Sequence, residues 1–389
     1  MRKITADYIF AEGKLLKNAV LVLAVEGTIL ELLKDPDSLE GVEKLQGILC
    51  PGFINTHCHL ELSHLKGRIP EKLGLDGFIR QIEALRRISP EEVQDALVKA
   101  DEEMLANGIV AVGDISNTSD SFARKKTSKL YYHTFLEIFA FHPSRAEKAL
   151  AQGEALYKEY TGTIGNAVSI TPHAPYSASE RLLNEIGTLA SHRNSILTIH
   201  NQESPDEDML FKYKTGKILQ RIEAFGFDLD FWQPTGKSSL QSTLLHLPPK
   251  VNLQLVHNTF TSAEDLSWAK TRSDKLWWCF CPAANLYIED RLPSFSMFEG
   301  EKICIGTDSL ASNSKLSILE EIRLIGAADP RIGLEKLLGW STTNGAAYLG
   351  IEDRYGSFRK DTRPGVNLIT SINLQELSLT DSSGVHVIA

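Results

Sequence analysis

Between Pro51 and Asp308 the chain repeats one pattern eight times, a short apolar or β-branched run followed by a stretch with room for a helix. The runs are GFINTH, GIVAVGDI, YYHTFLEIFAF, NAVSITPH, SILTIHN, VNLQLVHN, LWWCFCP and KICIGTD. Between them lie segments such as GFIRQIEALRRI, PEEVQDALVKADEEMLANG and SERLLNEIGTLASHR, apolar at i, i+3 and i+4 and bounded by Pro, Ser or Gly. Eight β-then-α units predict an α/β fold of the (β/α)8, TIM-like kind, and the distance from His57 to Asp308 matches the roughly 250 residues such a barrel occupies. The first fifty residues read differently. There ADYIF, AVLVLAV and TILELL alternate with turn signals, which predicts a small sheet, and the tail runs VNLIT and GVHVIA are too short to stand alone and are expected to pair with it.

A barrel gathers its chemistry at the C-terminal ends of its strands. Here those ends are mostly histidines: His57 and His59 on the first strand, His173 on the fourth, His200 on the fifth, His257 on the sixth, with Asp308 on the eighth. Side chains alternate faces along a strand, so the HxH of His57 and His59 can chelate one ion. Three neutral imidazoles and one carboxylate suit zinc or ferrous iron and leave a position for water. Glu203, in His200-Asn-Gln-Glu203, places a carboxylate beside such an ion without ligating it. His64 lies past the first strand and is expected either to line the mouth or to face solvent, while LWWCF precedes a strand end and reads as core. The long 202–250 connection is expected to hold a helix and to cover the mouth.

Charge and cysteine content narrow the partners. With 41 basic and 50 acidic residues, net −9, the chain offers no footprint for nucleic acid or anionic membrane, so a small molecule is the expected ligand. Five cysteines with no CxxC indicate neither a disulfide framework nor a zinc knuckle, and AVLVLAV is too short to span a bilayer; the reading is a cytoplasmic enzyme. The sequence leaves the choice between monomer and homodimer open.

PGFINTHCH, TPHAPYS, IHNQES followed by Glu207, LVHN, CPAANLYI, GTDSLASN and TTNGAAYLG together resemble, in order, the signature of the amidohydrolase superfamily. The likeness is to its single-metal deaminase and chlorohydrolase branch, and runs from about Pro51 to Gly350. The resemblance implies that His57, His59, His200 and Asp308 bind one divalent metal, and that Glu203, His257 and Asp308 are catalytic. It also implies that His173 and Asn285 contact substrate. It implies a barrel over residues 51–356 and a small β-sandwich built from 1–50 and 357–389. ITPHAPYS supplies no lysine of the kind two-metal relatives use, so one metal is expected, zinc before iron. Two departures stand out: Ala283-Ala284, where many relatives carry a larger polar pair, and Asn367, where an acidic residue is usual. The implied reaction is hydrolytic deamination of an amino-heterocycle, a 6-aminopurine nucleoside such as aminodeoxyfutalosine first, with guanine or cytosine deamination and chloride or amide hydrolysis as alternatives. A metal-binding protein without catalysis is the rival from another class. The smaller zinc-deaminase fold is excluded, since the chain has no PCxxC.

Overall fold

The computed structural model of the chain describes residues 1–226 and 229–389. All eight expected barrel strands form: β1 (Phe53–Cys58), β2 (Ile109–Ser116), β3 (Tyr131–Ile138), β4 (Val168–Pro172), β5 (Leu197–Asn201), β6 (Leu253–His257), β7 (Leu276–Phe280) and β8 (Ile303–Ile305). Strands β1 to β4 make one parallel ladder and β5 to β8 another. The two ladders meet at two seams. At one, the N–H groups of Thr307 and Asp308 donate to the His57 carbonyl at 3.1 and 3.0 Å; at the other, the His200 N–H donates to the His173 carbonyl at 2.9 Å. Both seams therefore fall on residues expected at the site.

The predicted helices form as Gly74–Leu85, Pro90–Ala106 and Glu180–Arg193, the last two packed on the strands and the first beside the cavity. The second starts where its sequence says it should. Ser89 accepts the Glu92 N–H at 3.2 Å while the Glu92 carboxylate accepts the Ser89 N–H at 3.4 Å, a reciprocal cap with Pro90 in the first turn. LWWCF is core as expected: Trp278 and Phe280 are fully buried, each about a ring's width from Phe298, at 5.0 and 5.1 Å between centroids. Among its described residues the 202–250 connection holds three helices, Pro205–Tyr213, Lys217–Ala224 and Ser239–Leu244. Of its FDLDFWQPTGKSS segment, residues 227 and 228 lie outside the described residues. Among the described residues no helix is long and apolar enough to cross a membrane.

The chain's two ends share a sheet. Gly384–Val387, Val366–Thr370, Ile48–Pro51, Tyr8–Ala11 and Lys14–Leu16 lie side by side in that order, and a second sheet of Ile29–Lys34, Ala19–Leu23, Arg2–Thr5 and Glu43–Lys44 adds Ile4 and Leu21 to a core that includes Leu49 and Val366. The chain passes from this layer into β1 through Gly52. A Cβ there would sit 2.3 Å from Val110 and 2.7 Å from the Pro364 carbonyl, so only glycine allows the crossing. Asn367 ties the same layers together, its buried amide donating to the Gly108 carbonyl at 2.8 Å.

That bond explains the asparagine at this position, because a carboxylate would lack the donor and face a carbonyl oxygen out of water. Asn367→Asp is expected to destabilise the fold by about 2 kcal/mol, read as a lower urea midpoint at neutral pH. An unchanged midpoint would mean the bond contributes nothing.

Candidate active site

The strand ends converge as the sequence pattern requires. The Nε2 atoms of His57 and His200 lie 3.2 and 3.3 Å from that of His59, and Asp308 Oδ1 is 3.6 and 3.4 Å from the Nε2 atoms of His57 and His59. Four ligands held about 2.0–2.1 Å from a tetrahedral ion are separated from one another by about 3.4 Å, so this donor set fits one divalent metal. Each donor is aimed by what lies behind it. The His200 Nδ1–H donates to the His173 carbonyl at 2.8 Å, leaving Nε2 as the lone-pair nitrogen. The Ser312 hydroxyl donates to Asp308 Oδ2 at 2.5 Å, leaving Oδ1 for the ion or its water. The segment after His59 is gripped from β2, where the Leu60 N–H donates to Asp114 Oδ1 at 2.8 Å. Asp114 is in turn paired at 2.6 Å with Lys125, both fully out of water.

The backbone is strained where it turns into the site. His257, Asn258 and Asp308 hold φ of 74°, 56° and 56°, a left-handed conformation that costs side-chain-bearing residues on the order of 1–3 kcal/mol each. The turn at His257 sets its ring so that Nδ1–H donates to the Asn285 amide oxygen at 2.9 Å and Nε2 lies 3.6 Å from Glu203 Oε1. Asn285, expected at the substrate, is thus buried behind His257 and lies off the cavity wall. His173 does line the cavity, its Nδ1 2.7 Å from the Ser177 hydroxyl.

Burial sets the protonation states. It pulls the imidazoles of His57, His59, His173, His200 and His257 below their usual range, which keeps their lone pairs available. Asp308 is also buried, but the hydrogen bond to His57 and the neighbouring imidazoles outweigh desolvation and hold its carboxyl below the usual range. Glu203 goes the other way: burial, then the charges of Asp308, Glu289 and Glu137, push it well above an ordinary carboxylic acid. One carboxyl is held below its usual range beside one pushed above it, a division that suits a base and an acid in the same site.

A cavity of about 460 Å³ opens above the donors, lined by His59, His200, Glu203, His257 and Asp308 at its inner end. Its outer wall mixes apolar residues, Leu62, Phe78, Ile79, Phe139 and, from the 202–250 connection, Ile218 and Ile222, with charged ones that include Asp76, Glu83, Arg86 and Arg221. That connection therefore does border the mouth. Two expectations shift. His64 neither lines the cavity nor faces solvent; it is buried with Nδ1 3.1 Å from the Glu61 carbonyl. Ala283 and Ala284 lie off the wall, the first giving its N–H to Glu321, so their small size does not remodel the pocket. Polar residues of the wall that escaped the sequence pattern include Asp76, Glu83, Arg86, Asn117, Glu137 and Arg221.

A profile of the amidohydrolase family matches residues 48–369. The chain is 26% identical over 336 residues to the 5′-deoxyadenosine deaminase of Methanocaldococcus jannaschii, across 81% of this chain and 74% of that one. Its fold is similar to the crystal structure of Helicobacter pylori aminofutalosine deaminase in complex with methylthio-coformycin, with a TM-score of 0.77 and 22% identity over 98% of this chain and 94% of the other. An adenosine deaminase from Xanthomonas campestris, solved with bound zinc, matches with a TM-score of 0.69 and 20% identity over 97% and 86%.

Glu203 is held in place by a second buried acid. Glu207 accepts the backbone N–H groups of Glu203 at 2.7 Å and Gln202 at 3.1 Å, and burial pushes its carboxyl up to about 8. An unfolded Glu ionises near 4.3, so between roughly pH 4.5 and 8 the unfolded chain binds fewer protons than the folded one, and stability from this group falls as pH rises. Glu207→Gln removes that titration. The stability of wild type minus that of the variant is expected to drop between pH 5 and 8 by up to about 1.4 kcal/mol per pH unit; urea titrations giving a constant gap would mean Glu207 is ionised in the folded protein.

Proposed function

The chain belongs to the amidohydrolase family, and we propose that it is a metal-dependent hydrolytic deaminase of a 6-aminopurine nucleoside or close derivative. The observation that carries this reading is Glu203, a buried acid 3.6 Å from His257 Nε2 at the edge of a four-donor cluster, with its carboxyl pushed up by burial. Deamination at an sp² carbon needs both a proton for the ring nitrogen and a nucleophilic water. The similar proteins named above, deaminases of 5′-deoxyadenosine, aminofutalosine and adenosine, support a nucleoside over a free base. The grouped imidazoles of His57, His59 and His200, with Asp308 Oδ1 3.6 and 3.4 Å from the first two, and the zinc of the Xanthomonas protein support zinc as the ion.

His57, His59, His200 and Asp308 hold the ion in this proposal. Bound there, a divalent ion supplies Lewis acidity and lowers the pKa of water from 15.7 toward about 7. Asp308 Oδ1, the ionised carboxylate, accepts the proton that water gives up. His257, whose Nδ1–H is committed to Asn285, presents Nε2 as an acceptor and orients the attacking water by taking its hydrogen bond. Glu203 gives its proton to the ring nitrogen beside the amine-bearing carbon as oxygen adds there. When the tetrahedral carbon collapses, the C–N bond breaks, the proton held by Asp308 passes to the departing amine, the proton of the added hydroxyl goes to the Glu203 carboxylate, and ammonia leaves. The product carries a carbonyl where the substrate carried the amine.

Glu203→Gln keeps the shape and loses the proton. Its kcat is expected to fall about 10²- to 10⁴-fold with a full equivalent of metal retained, while His200→Ala and Asp308→Asn lose metal as well as activity. Ammonia release and elemental analysis on the same samples check this. A Glu203→Gln variant within a few-fold of wild type removes Glu203 from the mechanism, and turnover of guanine, cytosine or a chlorotriazine alone removes the nucleoside.

A further inference from the structure

His59 is the donor whose own ring is held least. His200 is aimed through its Nδ1–H and Asp308 through its second oxygen. The only polar contacts of the His59 ring among the described residues are those its Nε2 makes to the other donors, His57, His200 and Asp308. Strand pairing does not reach it either, since the last residue of β1 in register with β2 is Cys58, opposite Asp114. The direction of His59 is therefore set by the backbone that follows it.

That backbone is tied to β2 twice, in opposite senses. From β2, Asp114 Oδ1 accepts the Leu60 N–H at 2.8 Å. From the short helical turn Leu60–Leu65, Glu61 reaches back, and its Oε2 accepts the Asn117 N–H at 3.0 Å and the Thr118 N–H at 3.3 Å, just past the end of β2. Each strand end thus supplies a buried carboxylate to the backbone of the other. A hydrogen bond to a charged acceptor is about twice as strong as one between neutral groups, so the crossed pair is a firm tie. Lys125 anchors it. Its ammonium lies 2.6 Å from Asp114 Oδ2 with no exposure, and donates to Ser116 of β2 and Thr134 of β3 as well. None of Glu61, Asp114 and Lys125 lines the cavity, so their effect reaches the site through the backbone.

We propose that Asp114 and Lys125, together with Glu61, are positioning residues for the metal: the crossed carboxylates fix the peptide after His59 and so keep its Nε2 in the donor set. The proposal rests on the metal site described above and concerns how tightly that site holds its ion.

The test compares wild type with Asp114→Val/Lys125→Met and with Glu61→Gln. The double variant exchanges a buried ion pair for apolar side chains of comparable size, a change that is often neutral for folding, and its urea midpoint checks that it folds. Should it not fold, Glu61→Gln, which keeps the size of the side chain, carries the same test. Zinc affinity is measured by competition with a chelator of known affinity, and the visible absorption of the cobalt(II) form, which follows coordination geometry, is recorded beside it. The double variant is expected to hold zinc about 10- to 100-fold more weakly than wild type and to shift the cobalt bands. Glu61→Gln, whose amide oxygen still accepts one N–H, is expected to fall between the two. Wild-type zinc affinity and an unchanged cobalt spectrum in the folded variants overturn the proposal, whatever their urea midpoints, because the crossed carboxylates then serve stability alone. A wild type that binds no zinc overturns the metal site itself, and this inference with it.

Discussion

The carbonyl oxygens of His57 and His173 each accept two hydrogen bonds at a seam of the barrel. The first takes the N–H groups of Thr307 and Asp308, the second the N–H and the ring Nδ1–H of His200. The bonds that bring the two four-stranded ladders together are therefore the same bonds that place Asp308 beside His57 and turn the lone pair of His200 inward. Because side chains alternate along a strand, a one-residue slip at either seam would point a ligand out of the ring. Geometry at the donors is thus a property of the whole barrel and not of a loop.

Around this frame the protein keeps several charged groups out of water. Asp114 and Lys125 form an ion pair with no exposure, and the three donors of Lys125 are spent on Asp114, Ser116 at 2.8 Å and Thr134 at 3.0 Å. Removing one member of such a pair costs about 3–5 kcal/mol because the other is left charged and alone. Glu207 and Glu321 are handled differently, each buried and pushed up to about 8 while accepting N–H groups of the loops they hold. These groups, with the left-handed turns at His257 and Asp308, fix loop ends that carry reacting side chains.

Much of this was legible in the sequence because it obeyed a period. Eight apolar runs gave eight strands, and residues at their ends shared one face by barrel logic alone. What escaped had no period to reveal it. Glu137 sits inside YYHTFLEIFAF, where a lone acid in an apolar run carries no spacing signal; its only mark was a charge near the end of a strand that needed none for packing. Arg86 and Asn117 follow from helix and loop placement, which the sequence does not encode locally. His64 was placed by proximity in sequence and Asn285 by the resemblance, yet a short helical turn buries the first and the helix Pro282–Glu289 puts the second behind His257. Ala283 and Ala284 mattered less than expected for the same reason, since that helix faces Glu321 and not the cavity.

The central claim is that four side chains from three strand ends form one metal site on which catalysis depends. Its most direct test is to strip the protein of metal with a chelator and add zinc back in known amounts, following ammonia release at each step. The account predicts no activity in the stripped protein and a linear return that breaks sharply at one equivalent per chain. Activity that persists without metal, or that climbs to a second equivalent before levelling, would contradict it.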